Sequence, residues 1–145
     1  SRIVTVASPE YLRNNGVPQH PRDLRQHNYL VYSDSSFRDE TTFQEDGTPF
    51  FVRVEGNLVT NNTEAMRAAL LSGLGISRGP SWLVSDSLEK GELIEVLQPY
   101  QPNPMDIYAV YSPGRHLPSK IRCLIDYFAD SFRHCPLLSG GQSAS

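Results

Sequence analysis

The run Arg2 to Ala7 (RIVTVA) is β-branched and strand-like, and it passes without a linker into Ser8-Pro9-Glu10. That triplet reads as a helix start: a serine N-cap, a proline at the first helical position and an acid in the first turn, with the helix continuing through Tyr11 and Leu12 until Gly16 ends it. A strand joined directly to a capped helix selects layered α/β architecture. A chain that opens within a strand also reads as the continuation of something longer.

The alternation persists downstream. Pro18 and Pro21 punctuate a turn, Asp23-Leu24 begins a single helical turn, and Tyr29 to Tyr32 is an apolar run suited to a buried strand. On either side of Asp46-Gly47 the runs TTFQ and FFVRV read as an antiparallel hairpin. A short strand is expected at Asn57 to Thr60. Asn61 with Glu64 then has capping-box spacing, Ala65, Met66, Ala69 and Leu70 form one stripe, and Gly73 closes the helix. Short elements at Leu74-Gly75-Ile76, Pro80 to Val84 and Ser87 to Lys90 precede a strand in ELIEVL. A proline-rich linker leads to a strand at Ile107 to Tyr111. A last helix from about Ser119 to Arg133 carries the stripe Ile121, Leu124, Ile125, Phe128 and Phe132, which calls for a sheet to pack on. The hairpin among alternating helices argues for a mixed sheet.

A chain of 145 residues has room for one ordinary domain or two small lobes. Its formal charge of −3 lacks the electrostatic footprint of a nucleic-acid surface. Cys123 and Cys135 are the only cysteines, which fits neither a disulfide framework nor a structural zinc site, so a reducing cytoplasm is the simplest compartment. No apolar run approaches the ~20 residues that cross a bilayer, and no signal peptide opens the chain. Asn61-Asn62-Thr63 matches the glycosylation acceptor pattern, but helix capping explains it better.

The segments VASPEYL, GVPQHPRDLRQHNYLVY, GNLVTNNTEAMRAALLSGLGIS with Pro80 and Trp82, KGELIEVL and IYAVYSP…LPSKIRCLIDYF together resemble the effector-binding domain of LysR-type transcriptional regulators, in order and spacing from Arg2 to Phe132. The resemblance implies an α/β fold of the type 2 periplasmic-binding-protein kind. It implies a complete second lobe over 8–99, and an incomplete first lobe of which 2–7 and 105–134 are the remnant, within a unit of 1–136. Residues 137–145, rich in glycine and serine, are expected to form a flexible tail. The strands at Arg2 to Val6 and Ile107 to Tyr111, and the stripe of the last helix, would then lack neighbours, so the segment alone is expected to dimerise or exchange elements.

Asn62 and Thr63 sit at a predicted helix N-terminus, where free backbone N–H groups favour an anion, although the pair also reads as a cap alone. The loop after Tyr32 offers the hydroxyls of Ser33 and Ser36 and the ring of Phe37 beyond the carboxyl end of a strand, and it also reads as a solvated loop. The resemblance implies that both loops face an interlobe cleft, with Ser77 at its edge. It further implies a hairpin packing position at Phe43, where many relatives carry tryptophan.

Gly75-Ile76-Ser77-Arg78-Gly79 matches the G-x-S-x-G pattern of serine hydrolases, with His116 and His134 downstream. A nucleophile elbow needs a helix directly after the serine, whereas Pro80 follows here. The glycines also serve a tight helix-to-strand return. His20, His27, His116 and His134 are too scattered for metal ligation, and no phosphate loop occurs, so neither metal nor cofactor is expected. The reading is a non-enzymatic, ligand-sensing domain that takes a small, polar or anionic effector, belongs to a homo-oligomer and reaches promoter DNA only through a helix-turn-helix outside this segment. A serine hydrolase fragment using Ser77 and a periplasmic solute-binding protein are the alternatives.

Overall fold

The computed structural model describes residues 2–32, 40–102 and 119–134. Strand β1 (Ile3–Ala7) is buried along its whole length and leads into helix α1 (Pro9–Asn15). Ser8 caps α1, its Oγ accepting from the Tyr11 N–H at 3.2 Å, and Gly16 ends it at φ 86°. A 3-10 turn, Pro21–Gln26, follows. It begins two residues before the Asp23 start read from the sequence, because His20 Nδ1 accepts from the Arg22 N–H while the Asp23 carboxylate accepts from the N–H groups of Gln19 and His20.

Strand β2 (Val31–Tyr32) pairs in parallel with β5 (Val59–Thr60). Between them β3 (Glu40–Glu45) and β4 (Thr48–Arg53) form the expected hairpin. Its two-residue loop is Asp46-Gly47, both at positive φ (49° and 78°), the backbone of a type I′ turn.

Helix α2 (Thr63–Leu71) is capped by Asn62, whose side-chain oxygen accepts from the Ala65 N–H at 2.9 Å. The cap therefore falls one residue after Asn61. Met66, Ala69 and Leu70 of the expected stripe are buried, whereas Ala65 is exposed. The helix ends in a Schellman motif: Gly73 at φ 73° donates to the Leu70 carbonyl and Leu74 to the Ala69 carbonyl. Strand β6 (Ile76–Pro80), the 3-10 turn Ser81–Leu83, helix α3 (Ser85–Glu89), strand β7 (Ile94–Val96) and a last 3-10 turn, Gln98–Tyr100, complete this part.

The principal sheet has the order β6-β1-β7, antiparallel throughout, with Val4 opposite Gly79, Val6 opposite Ser77 and Thr5 opposite both Arg78 and Val96. The expectation that the Arg2 to Val6 strand lacks neighbours is thus corrected. It is the middle strand, hydrogen-bonded on both edges to strands that lie within 8–99. Strand alternation divides the core between two faces. Val4 and Val6 pack with Leu30, Met66, Leu70, Val84 and Leu93, and Ala7 packs on the other face with Tyr11, Leu24, Tyr29, Phe43, Val52 and Ile76.

Helix α4 (Ser119–His134) forms where the sequence places it. Of its expected stripe, Leu124 and Phe128 are 53% and 45% exposed, and among the described residues neither core cluster includes a side chain of α4. The side chains of Ile121 and Phe132, the strand read at Ile107 to Tyr111 and the tail 137–145 lie outside the described residues.

Candidate functional site

The face of the sheet that carries Val4 and Val6 bounds an open-sided cavity of about 310 Å³. Helix α2 supplies one wall with Thr63, Met66, Arg67 and Leu70, at the spacing i, i+3, i+4 and i+7 that places four side chains on one helix face. Tyr32 at the end of β2 and the segment from Ser77 to Val84, with Trp82 at the rim, supply the rest. Most of this lining is apolar.

Two of the six residues singled out in the sequence meet here: Thr63 and Ser77 both line the cavity. Ser77 is only 4% exposed, and its hydroxyl donates to the Leu30 carbonyl at 2.9 Å. Asn62 stands beside them as the cap of α2, its oxygen occupied by the Ala65 N–H. Ser33, Ser36 and Phe37 lie outside the described residues, although Tyr32, immediately before them, lines the cavity.

The hydrolase reading of Ser77 has no geometric support. Ser77 sits inside a paired strand, opposite Val6, rather than on a strand-to-helix elbow. The preceding Gly75 has a steric reason, since a Cβ there would collide with the Asn28 carbonyl. Of the histidines, His27 Nδ1 lies 3.2 Å from the Tyr11 hydroxyl, and burial pushes its pKa down. His20 packs edge-on to Tyr100 and stacks on Phe50. His116 and the side chain of His134 lie outside the described residues. Among the described residues no group of three His, Cys, Asp or Glu could hold a metal ion, and no helix is long and apolar enough to cross a membrane.

Sequence reasoning missed Arg67. It enters from α2, its Nη2 donating to Ser87 Oγ of α3 at 3.1 Å, while its Nε is buried without a partner among the described residues. The signal was available in the four-residue step from Thr63 to Arg67. Arg78, next to Ser77, also borders the cavity, but its guanidinium reaches the hairpin on the other face of the sheet. Its guanidinium donates to Thr41 Oγ1 and lies over the Phe43 ring, the hairpin packing position. Burial there lowers the Arg78 pKa and raises that of neighbouring Tyr29.

The family model for the LysR substrate binding domain matches residues 1–133. An HTH-type transcriptional regulator of Haemophilus influenzae is 36% identical over 115 residues, which cover 79% of this chain and 40% of that protein. The HTH-type transcriptional activator AaeR of Escherichia coli is 31% identical over 130 residues, covering 90% of this chain and 42% of AaeR. Among solved structures, the full-length virulence activator AphB of Vibrio cholerae superposes with a TM-score of 0.77 at 30% identity, over 90% of this chain and 44% of that one. The chain spans less than half the length of the curated relatives it matches. An α/β unit whose middle strand runs directly into a capped helix, with a family match from residue 1 to 133, belongs to the LysR substrate-binding domain family, the effector-binding part of LysR-type transcriptional regulators.

Proposed function

We propose that the cavity between β1, β6 and α2 is one side of an effector cleft, and that its occupancy reports to DNA-binding domains elsewhere in a longer regulator. The observation that carries this reading is the convergence of Thr63 and Ser77, from separate elements, on one mostly apolar cavity. Ligand sites combine apolar walls with a few placed polar groups in the same way. The loop carrying Ser33, Ser36 and Phe37 contributes from the end of β2, and a first lobe completed around 105–134 closes the cleft from the other side.

The mechanism is a shift of population. An effector that binds one arrangement of the lobes more tightly displaces the equilibrium towards it, and one that binds both equally shifts nothing. No covalent bond is made or broken. The regulator works as a homo-oligomer in the cytoplasm and contacts promoter DNA through a helix-turn-helix domain of the longer protein. The names of the HTH-type regulators that the chain resembles, of which it covers less than half, support the helix-turn-helix.

Gly79 offers a clean test. It lies opposite Val4 on the cavity face, and a Cβ built there meets nothing within 4 Å. Gly79→Leu should fill the cavity and leave the fold intact. A thermal-shift screen of anionic, neutral and cationic small molecules on the full-length regulator identifies stabilising ligands. The same ligands should fail to stabilise the variant, and undiminished stabilisation removes the cavity as the site.

A further inference from the structure

We infer that the outward face of the β3–β4 hairpin, away from the effector cavity, is a contact between two copies of this chain. Strand alternation fixes what this face carries. Val52 and Val54 turn inward, as do Thr41 and Phe43 on the neighbouring strand, so Phe51, Arg53 and Glu55 turn out beside Glu40 and Thr42. Phe51 is 69% exposed, the most open large hydrophobic side chain among the described residues. Around it Arg25, Glu40, Arg53 and Glu55 line a shallow groove of about 520 Å³.

Two of these charges are positive and two negative, so the groove is neutral as a whole. Neither ion pair found among the described residues includes any of the four. Glu40 and Arg53 stand directly opposite each other, where opposite charges attract, and still do not join within the chain. Nucleic acid or a strongly charged peptide would call for a face of one sign. A neutral face with unpaired charges of both signs around an aromatic ring suits a second copy, and aromatic and arginine side chains are the types that carry binding energy at interfaces.

The register makes the face self-complementary. Glu40 lies opposite Arg53, and Thr42 opposite Phe51. A two-fold axis running between the two strands, parallel to them, exchanges one strand for the other. A second hairpin laid on the first by that axis puts its Arg53 over Glu40, its Glu40 over Arg53 and its Phe51 over Thr42. An isologous interface requires this reciprocity, in which one residue meets another and the second meets the first. Sheets packed face to face sit about 10 Å apart with strands nearly aligned, a gap that guanidinium and carboxylate side chains bridge from opposite sides. A single hairpin face is narrower than the ~800 Å² per partner of a standard interface, so the contact is weak and adds a concentration-dependent step to assembly.

Sedimentation equilibrium of the full-length regulator at micromolar concentrations tests this. The wild-type mass should rise with concentration. Glu40→Arg or Arg53→Glu alone should weaken that step about 10-fold or more, since each sets like charges across both reciprocal pairs. An equimolar mixture of the two variants should recover wild-type association, because one copy then supplies both anions and the other both cations. Each variant also opposes like charges within its own hairpin, but mixing cannot repair that, so recovery on mixing reads the interface alone. Phe51→Ser changes no charge and decides the matter if a reversal folds poorly: it should suppress the step with an unchanged unfolding midpoint. A wild-type mass that does not change with concentration, association that survives either reversal or Phe51→Ser, or no recovery on mixing overturns the proposal and leaves the face to another partner or to solvent.

Discussion

The Arg78 guanidinium lies 5.2 Å from the centre of the Phe43 ring, and its Nη1 donates to Thr41 Oγ1 at 2.9 Å, so one side chain of β6 clamps the β3–β4 hairpin to the principal sheet. Phe43 is fully buried and Thr41 nearly so. Stacking over an aromatic face offsets part of the cost of burying this cation.

Phe43→Ala should therefore destabilise the protein by about 3–5 kcal/mol, as expected for loss of a buried ring. Arg78→Met should cost about 1–3 kcal/mol through the lost ring contact and hydrogen bond. The two effects share one contact, so the double variant should fall short of their sum by roughly 0.5–2 kcal/mol. Urea unfolding of all four proteins measures this, and strict additivity would dissolve the clamp.

Asn62 and Thr63 are neighbours with separable roles. Asn62→Ala removes the cap of α2 and should lower stability by about 1 kcal/mol while leaving the affinity of bound effector unchanged. Thr63→Val keeps the side-chain shape but deletes the hydroxyl of a residue that lines the cavity, so affinity should fall several-fold with little change in the urea midpoint. Calorimetry paired with denaturation distinguishes them, and swapped outcomes would reverse the assignment.

Ser77 holds β6 to the Leu30 carbonyl through its hydroxyl. Ser77→Ala should cost about 1 kcal/mol of stability for the buried hydrogen bond. Any slow hydrolysis of p-nitrophenyl acetate by the protein should proceed at the same rate in the variant. A rate that depended on the serine would reopen the hydrolase reading.

His27 confers a pH dependence of definite sign. Burial outweighs the attraction of Asp23 and holds its pKa below the ordinary imidazole value of about 6.5. Above that value the ring is neutral in both folded and unfolded chains. Below it the unfolded chain takes up a proton that the folded protein resists, so stability falls with falling pH until the folded value is passed. The Tyr11 hydroxyl, which accepts from the Asn28 N–H and lies against Nδ1, also loses its acceptor when that nitrogen is protonated. Asp23, held low by the N–H groups of His20 and Gln19, titrates further down and outside this window. The drop in urea midpoint between pH 7.5 and 5.5 should shrink in His27→Gln, and an undiminished drop would assign the effect elsewhere.

Local chemistry made several elements legible from residues alone. Ser8-Pro9 starts α1 because a hydroxyl and a fixed φ act within one turn, and Asp46-Gly47 closes the hairpin because few residue pairs accept two positive φ angles. The same holds for Gly73 at the end of α2. Element boundaries are less legible: adjacent Asn61 and Asn62 offer equivalent oxygens, and it is Asn62 that caps α2.

Order along the chain, by contrast, does not encode which strands become partners. The RIVTVA run is apolar enough to be buried on both edges, yet only the return of β6 and β7 to its two sides made it the middle strand. Likewise the alternation of Ser77 and Arg78 is visible, but the sheet decides that both border the cavity while only the Arg78 guanidinium turns to Phe43. Helix starts, turns and family are legible along the chain, because those depend on interactions within a few residues or on the order of motifs. The tertiary structure alone decided that Thr63, Arg67 and Ser77 share one cavity, because strand pairing and helix packing join residues whose separation along the chain carries no signal.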